Sequence, residues 1–143
     1  MPQVRDTDKG QGAKGENMNT DEIEINGKKY VLKDSIKQVP KMAAKLKNLT
    51  YCIVRTYSAG VFAGYYDLKI KGQEGSVFNA RRLWSWAGAA SLSQLSIDGT
   101  ANPSSCKFPA EVNEVQLKQI IEVLPCTEKA RKSIQEVKIW QVN

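Results

Sequence analysis

Two arginines run directly into two tryptophans at Arg81, Arg82, Trp84 and Trp86, inside the stretch NARRLWSWAGAASLSQL (79–95). Guanidinium groups among indoles suit one kind of chemistry. A planar ring stacks on the aromatic faces, while the arginine fork meets phosphate oxygens. Aromatic platforms beside cations recur in sites for nucleotides and single strands. If the stretch is a strand, alternation puts Phe78, Ala80, Arg82, Trp84 and Trp86 on one face, with Val77, Asn79, Arg81 and Leu83 on the other. The first set is then the ligand-facing one. The alternative is that these aromatics form core, with an arginine stem lying over them and its head in water. The paired arginines favour an anionic partner, because a mid-strand guanidinium without one is costly to bury.

The residues that follow extend the same chemistry. Gly88, Ala89 and Ala90 allow a close backbone approach, and a helix begun at Ser91 would turn free amides toward a phosphate. The alternative is a tight packed corner, and the stretch matches no P-loop or GxGxxG pattern. In TYCIVRTY (50–57), Arg55 and Tyr57 alternate with Tyr51 and Ile53 and join the surface if the two strands share a sheet. The candidate ligand-binding set is therefore Arg55, Tyr57, Arg81, Arg82, Trp84, Trp86 and Ser91. No cofactor and no metal are expected. Asp98 in IDGT lacks the spacing of an EF-hand loop, and Cys106 has no base to pair with it.

Composition narrows the function classes. The 143 residues contain no histidine, which removes imidazole acid–base catalysis, Ser-His and Cys-His pairs and the usual zinc sites. Carboxylate, lysine or magnesium chemistry stays open, but a non-enzymatic protein is the expectation. The three cysteines, Cys52, Cys106 and Cys126, form no CxxC pair and fit a reducing compartment. No apolar run approaches the roughly 20 residues that span a bilayer, so no membrane partner is expected. The net charge of +6 is local: residues 28–47 hold seven lysines against Asp34 alone. Lys37, Lys41 and Lys45 recur every four residues, and such a face attracts polyanions or is simply solvated.

These residues need elements to position them. The polar segment 1–20 is expected to be a disordered arm, and 21–143 a single domain. EIEINGKKYVLKD places Asn26-Gly27 between alternating runs and predicts a β-hairpin over about 22–33. SIKQVPKMAAKLKNL has helical spacing, with Pro40 at its first turn or splitting it. Three β-rich runs, TYCIVRTY, VFAGYYDLKI and SVFNARRLWSW, are joined by short turns, the first using Gly60 at positive φ. IIEVLP predicts a strand, EKARKSIQEV a helix capped by Thr127, and KIW a last short strand. The expected class is α+β, mainly an antiparallel meander with two or three short helices.

With VRTYSAGVFAGYY (54–66), NARRLWSWAGAASLSQLSIDGT (79–100), CKFP (106–109) and IIEVLPCTEKARKSI (120–134) in place, the chain resembles a family of small proteins encoded by tailed bacteriophages and classed as a domain of unknown function. The resemblance spans roughly residues 50–140, and its most specific part is the Arg-Arg-Leu-Trp-x-Trp-x-Gly-Ala-x-Ser-Leu string. It implies a phage accessory protein acting in the cytoplasm of the infected bacterium. The residues and the resemblance together lead to two expectations. One is a sponge-like module, forming homo-oligomers, that sequesters a small nucleotide such as a host immune signal. The other is a nucleic-acid-binding or virion-associated protein that uses the lysine face at 28–47.

Overall fold

The structure is a computed structural model that describes two backbone strands, residues 22–25 and 28–31, and residues 40–143 throughout. By its contacts the chain divides between Val39 and Pro40. In the first unit, β1 (Glu22–Ile25) pairs antiparallel with β2 (Lys28–Val31), with Ile25 opposite Lys28. The expected antiparallel strand pair is therefore present, and the Asn26-Gly27 turn lies outside the described residues. The expected arm at 1–20 lies outside the described residues.

The second unit is α+β and mainly antiparallel. Its strands are β3 (Thr50–Thr56), β4 (Val61–Tyr66), β5 (Gly75–Arg82), β6 (Val112–Leu117) and β7 (Ile120–Pro125), in the order β6-β5-β4-β3-β7. Two helices accompany them, α1 (Leu92–Asp98) and α2 (Glu128–Glu136). The turn between β3 and β4 uses Gly60 at φ +100°, where a side chain would be strained.

The sheet coils until two diagonal corners meet. β6 lies at one edge and β7 at the other, yet only Lys118 and Gln119 separate them. Leu117 sits opposite the start of β5, and Ile120 opposite the end of β3, so in a flat sheet they would occupy diagonal corners. Four strand spacings put those corners about 19 Å apart across the sheet. Two intervening residues span at most about 11 Å. The sheet must therefore coil until the corners meet. Hydrogen bonds at the junction, Tyr57 N–H to Gln119 O (2.9 Å) and Ile120 N–H to Gln73 O (2.9 Å), fasten it.

Coiling creates two apolar cores. Cys52, Val54, Phe62, Tyr66, Val77, Ala80, Leu117 and Ile120, from all five strands, fill the inside of the coiled sheet. Tyr51, Ile53, Ala63 and Leu83 face outward and are covered by Leu95 of α1, Ala130 and Ile134 of α2, and Phe108. β3 is buried on both faces, which is why its sequence reads as a nearly continuous apolar run. Thr127 caps α2 as expected, its hydroxyl accepting the Ala130 N–H at 3.1 Å.

Two sequence expectations fail here for identifiable reasons. The helix expected over 35–49 does not form across 40–49, and residues 35–39 lie outside the described residues. The backbone of this stretch is used elsewhere: Ala43 N–H donates to Cys126 O (3.1 Å), and Lys41 O accepts Glu128 N–H (2.8 Å) at the first turn of α2. Those tertiary bonds replace the i→i−4 ladder. The third central strand was expected to run to Trp86 with strict alternation, but it ends at Arg82 and is bulged at Asn79 (φ +50°). Tyr65 pairs with Phe78 and Ala63 with Arg81, so Gly64 faces two residues, as in a β-bulge. A Cβ on Gly64 would meet Val77 Cγ1 at 2.6 Å and Phe78 O at 2.7 Å, so the bulge needs glycine opposite it. The extra residue brings Val77 to the same side as Ala80, and the single face expected for Phe78, Ala80, Arg82, Trp84 and Trp86 does not exist.

Candidate ligand-binding surface

Beyond Arg82 the chain leaves the sheet for new partners. Leu83 N–H still donates to Val61 O (2.8 Å), but Trp84 and Ser85 turn their amides to Lys107 O (3.1 and 3.3 Å). Lys107 N–H returns to Ser85 O at 2.7 Å, and Trp140 N–H donates to Phe108 O at 3.0 Å. Ile139 bridges Phe108 in parallel, so KIW is held as a short extended piece. Three pieces, 84–85, 107–108 and 139–140, thus lie side by side. Leu83 and Phe108 anchor them in the helix-side core.

Trp84, Lys107 and Trp140 meet on the outside of this small arrangement. The Trp84 and Trp140 rings stack with centroids 6.4 Å apart and planes 14° from parallel. Lys107 Nζ lies 5.6 Å from the Trp140 ring centroid, within cation–π range. Trp84 is 64 % exposed and Trp140 38 %. Offset beside Trp140, Trp84 leaves most of its indole to solvent. An open indole in a tryptophan stack beside an ammonium can take a planar, anionic group.

The other expected ligand residues are dispersed. Trp86 is half-buried against the helix-side core. Arg82 places its guanidinium 4.4 Å from the Phe62 ring centroid and donates from Nη1 to Ala59 O at 2.7 Å. Arg55 pairs with Glu122 (Nε to Oε1, 2.8 Å), and Tyr57 beside it is 76 % exposed. Arg55 sits opposite Val61 and Arg82 opposite Phe62, so the two arginines emerge on opposite faces of the sheet. They form no joint surface. Lys41 and Lys45 are exposed, and Lys37 lies outside the described residues.

Arg81 is interior. It is 4 % exposed, and its fork ends entirely on carbonyls: Nε to Pro109 O (2.8 Å), Nη1 to Ile134 O (2.7 Å) and Nη2 to Phe108 O (3.0 Å). Burial lowers its pKa, and the neighbouring Tyr51 and Glu111 oppose that shift. Ile134 O lies in the last turn of α2, where unpaired carbonyls and the helix dipole favour a cation.

Ser91 caps α1 with its hydroxyl accepting Gln94 N–H (3.3 Å), and Gln94 Oε1 accepts Ala90 N–H (2.7 Å). The Ala90 and Gln94 amides are thus bonded to side chains of the same stretch. The small residues serve a close crossing: Gly88 sits at φ +81°, and its carbonyl accepts Ala101 N–H at 3.0 Å. A Cβ there would lie 2.3 Å from Asn102 N and 2.6 Å from Ala101 N. Since both are backbone atoms, Gly88→Ala is expected to cost about 2–3 kcal/mol through strain and overpacking. Urea unfolding checks this, and a loss below about 0.5 kcal/mol would contradict the crossing. Among the described residues, no group of three or more Cys, Asp or Glu side chains is placed to hold a metal ion.

The family model of a domain of unknown function, DUF6948, matches residues 49–134. The chain belongs to this family. Neither the curated proteins nor the solved structures yield a significant match. The DUF6948 region runs from the approach to β3 into α2, so it includes Trp84 and Lys107 but ends before Trp140. Lys107 and Trp140 were not among the residues expected from sequence. Local pattern offers little sign of them, because their meeting with Trp84 depends on pairing between segments 23 and 33 residues apart.

Proposed function

We propose that this DUF6948 domain is a non-enzymatic binding module that holds a small planar anion of nucleotide type on the Trp84–Trp140–Lys107 surface. The observation that carries this reading is the open indole face of Trp84 on a parallel tryptophan stack beside an ammonium. Stacking a base on such a face is worth about 1–3 kcal/mol. Lys107 supplies a point charge for the phosphate. The absence of histidine from the chain supports a binding role over acid–base catalysis. In the setting implied by the phage resemblance, the protein works in the cytoplasm of an infected bacterium and sequesters a host nucleotide signal.

Titrating tryptophan fluorescence with ADP-ribose, cyclic dinucleotides and mononucleotides tests this. Saturable binding by at least one is expected, weakened about 10–100-fold in Trp84→Ala with little change in thermal stability. No saturation with any of them sinks the reading. The nucleic-acid alternative gives a different result: oligonucleotide binding that falls steeply with salt and weakens when Lys41 and Lys45 are removed.

A further inference from the structure

We propose that Arg81 is the positioning residue of this surface: its buried guanidinium holds the Phe108 carbonyl where it receives the Trp140 N–H, and so sets Trp140 against Trp84. The inference rests on the reading that the Trp84–Trp140 stack is the binding surface. Phe108 O accepts two bonds, Arg81 Nη2 at 3.0 Å and Trp140 N–H at 3.0 Å, which fill its two lone-pair directions. The same guanidinium grips Ile134 O at 2.7 Å, in the last turn of α2. Arg81 therefore fixes both anchor points of the segment that carries Trp140, the helix end it leaves and the strand piece it docks on. Val137 is buried between those anchors, but Ile139 and Trp140 are 50 % and 38 % exposed. A segment so exposed opens easily unless its docking partner is rigid. At 4 % exposure, Arg81 itself does not reach a ligand on this surface. It acts through the carbonyl, and a charged fork on a desolvated carbonyl is the stronger class of hydrogen bond.

The full chain, without ligand, tests the inference through the circular-dichroism couplet of two stacked indoles. Arg81→Met, measured well below its melting transition, is expected to lose more than half of that couplet and to expose both tryptophans to acrylamide quenching. Arg81→Lys, which keeps a donor, is expected to recover part of it. A variant carrying a backbone ester at Trp140 replaces the N–H that bonds Phe108 O by an oxygen, and it is expected to lose the couplet with Arg81 intact. If Arg81→Met does not fold, the ester variant decides. An intact couplet in the ester variant, or in folded Arg81→Met, overturns the inference. ADP-ribose and a cyclic dinucleotide are titrated in parallel. If the wild type binds neither, the proposed function fails, while the couplet still decides whether Arg81 positions Trp140.

Discussion

Replacing Arg81 with methionine is expected to lower the stability of the folded unit by about 2–4 kcal/mol. The change leaves the Pro109 carbonyl without its 2.8 Å donor and takes from Ile134 O its 2.7 Å donor, leaving it only the longer bond from Val137 N–H at 3.4 Å. A desolvated carbonyl left unpaired costs about 1–3 kcal/mol. Phe108 O keeps the Trp140 N–H and loses less. Against this, methionine no longer carries a charge into the interior, which offsets part of the loss because burying an ion is itself expensive. Packing over Phe108, whose ring centroid lies 5.6 Å from the guanidinium carbon, is retained in part by the methionine chain. For a unit of this size the melting temperature should fall by roughly 8–16 °C. Arg81→Lys should recover less than half of the loss, since one ammonium cannot meet three carbonyls set around a planar fork. A methionine variant as stable as the parent would show that the three bonds contribute nothing net.

The second large effect is a loss of stability in alkali. Burial pushes the Cys52 thiol up to about 12, and burial with the nearby Cys52 pushes Cys126 up to about 12, from an ordinary value of 9.0. Both side chains are fully buried, on opposite sides of β3 and its junction with β7. The unfolded chain releases these protons above pH 9, whereas the folded chain holds them until about pH 12. The unfolded state therefore binds fewer protons in this window, and stability falls as pH rises. Below pH 9 the two thiols contribute no slope. Between 9 and 12 each adds about 1.4 kcal/mol of loss per pH unit. By pH 11, two pH units above the ordinary thiol value, the pair should cost about 5 kcal/mol. The buried Tyr51 hydroxyl, shifted upward by desolvation and without a hydrogen-bond partner among the described residues, adds to the loss at higher pH. Urea midpoints at pH 8, 9, 10 and 11 measure the slope. A Cys52→Ala/Cys126→Ala variant should flatten it relative to the parent, and matching slopes in the two proteins would rule out the thiols as its source.

Local sequence signals determined a good deal of this protein. Asn26-Gly27 between alternating runs marked the first hairpin, and Gly60 marked the β3–β4 turn. Thr127 ahead of a periodic segment marked α2, and the apolar runs marked β3, β4 and β7. Each is written in neighbouring residues, so the α+β class with an antiparallel sheet followed. The missing histidine likewise narrowed the chemistry before any fold was known. Tertiary structure decided the rest. The bulge at Asn79 depends on Gly64 in another strand, and one inserted residue reverses which side chains face inward. The 40–49 stretch has helical spacing, but its amides and carbonyls find partners at Cys126 and Glu128. β6, whose residues are mostly exposed, carries little apolar alternation and is held by pairing with β5. The Arg-Arg-Leu-Trp-x-Trp stretch was legible as unusual, but not as to which residues face solvent. Arg81 went inside because three carbonyls converge there, and Trp84 went outside because its backbone changed partners after Leu83. Its stacking companion, Trp140, lies 56 residues further along, a distance that no local pattern spans.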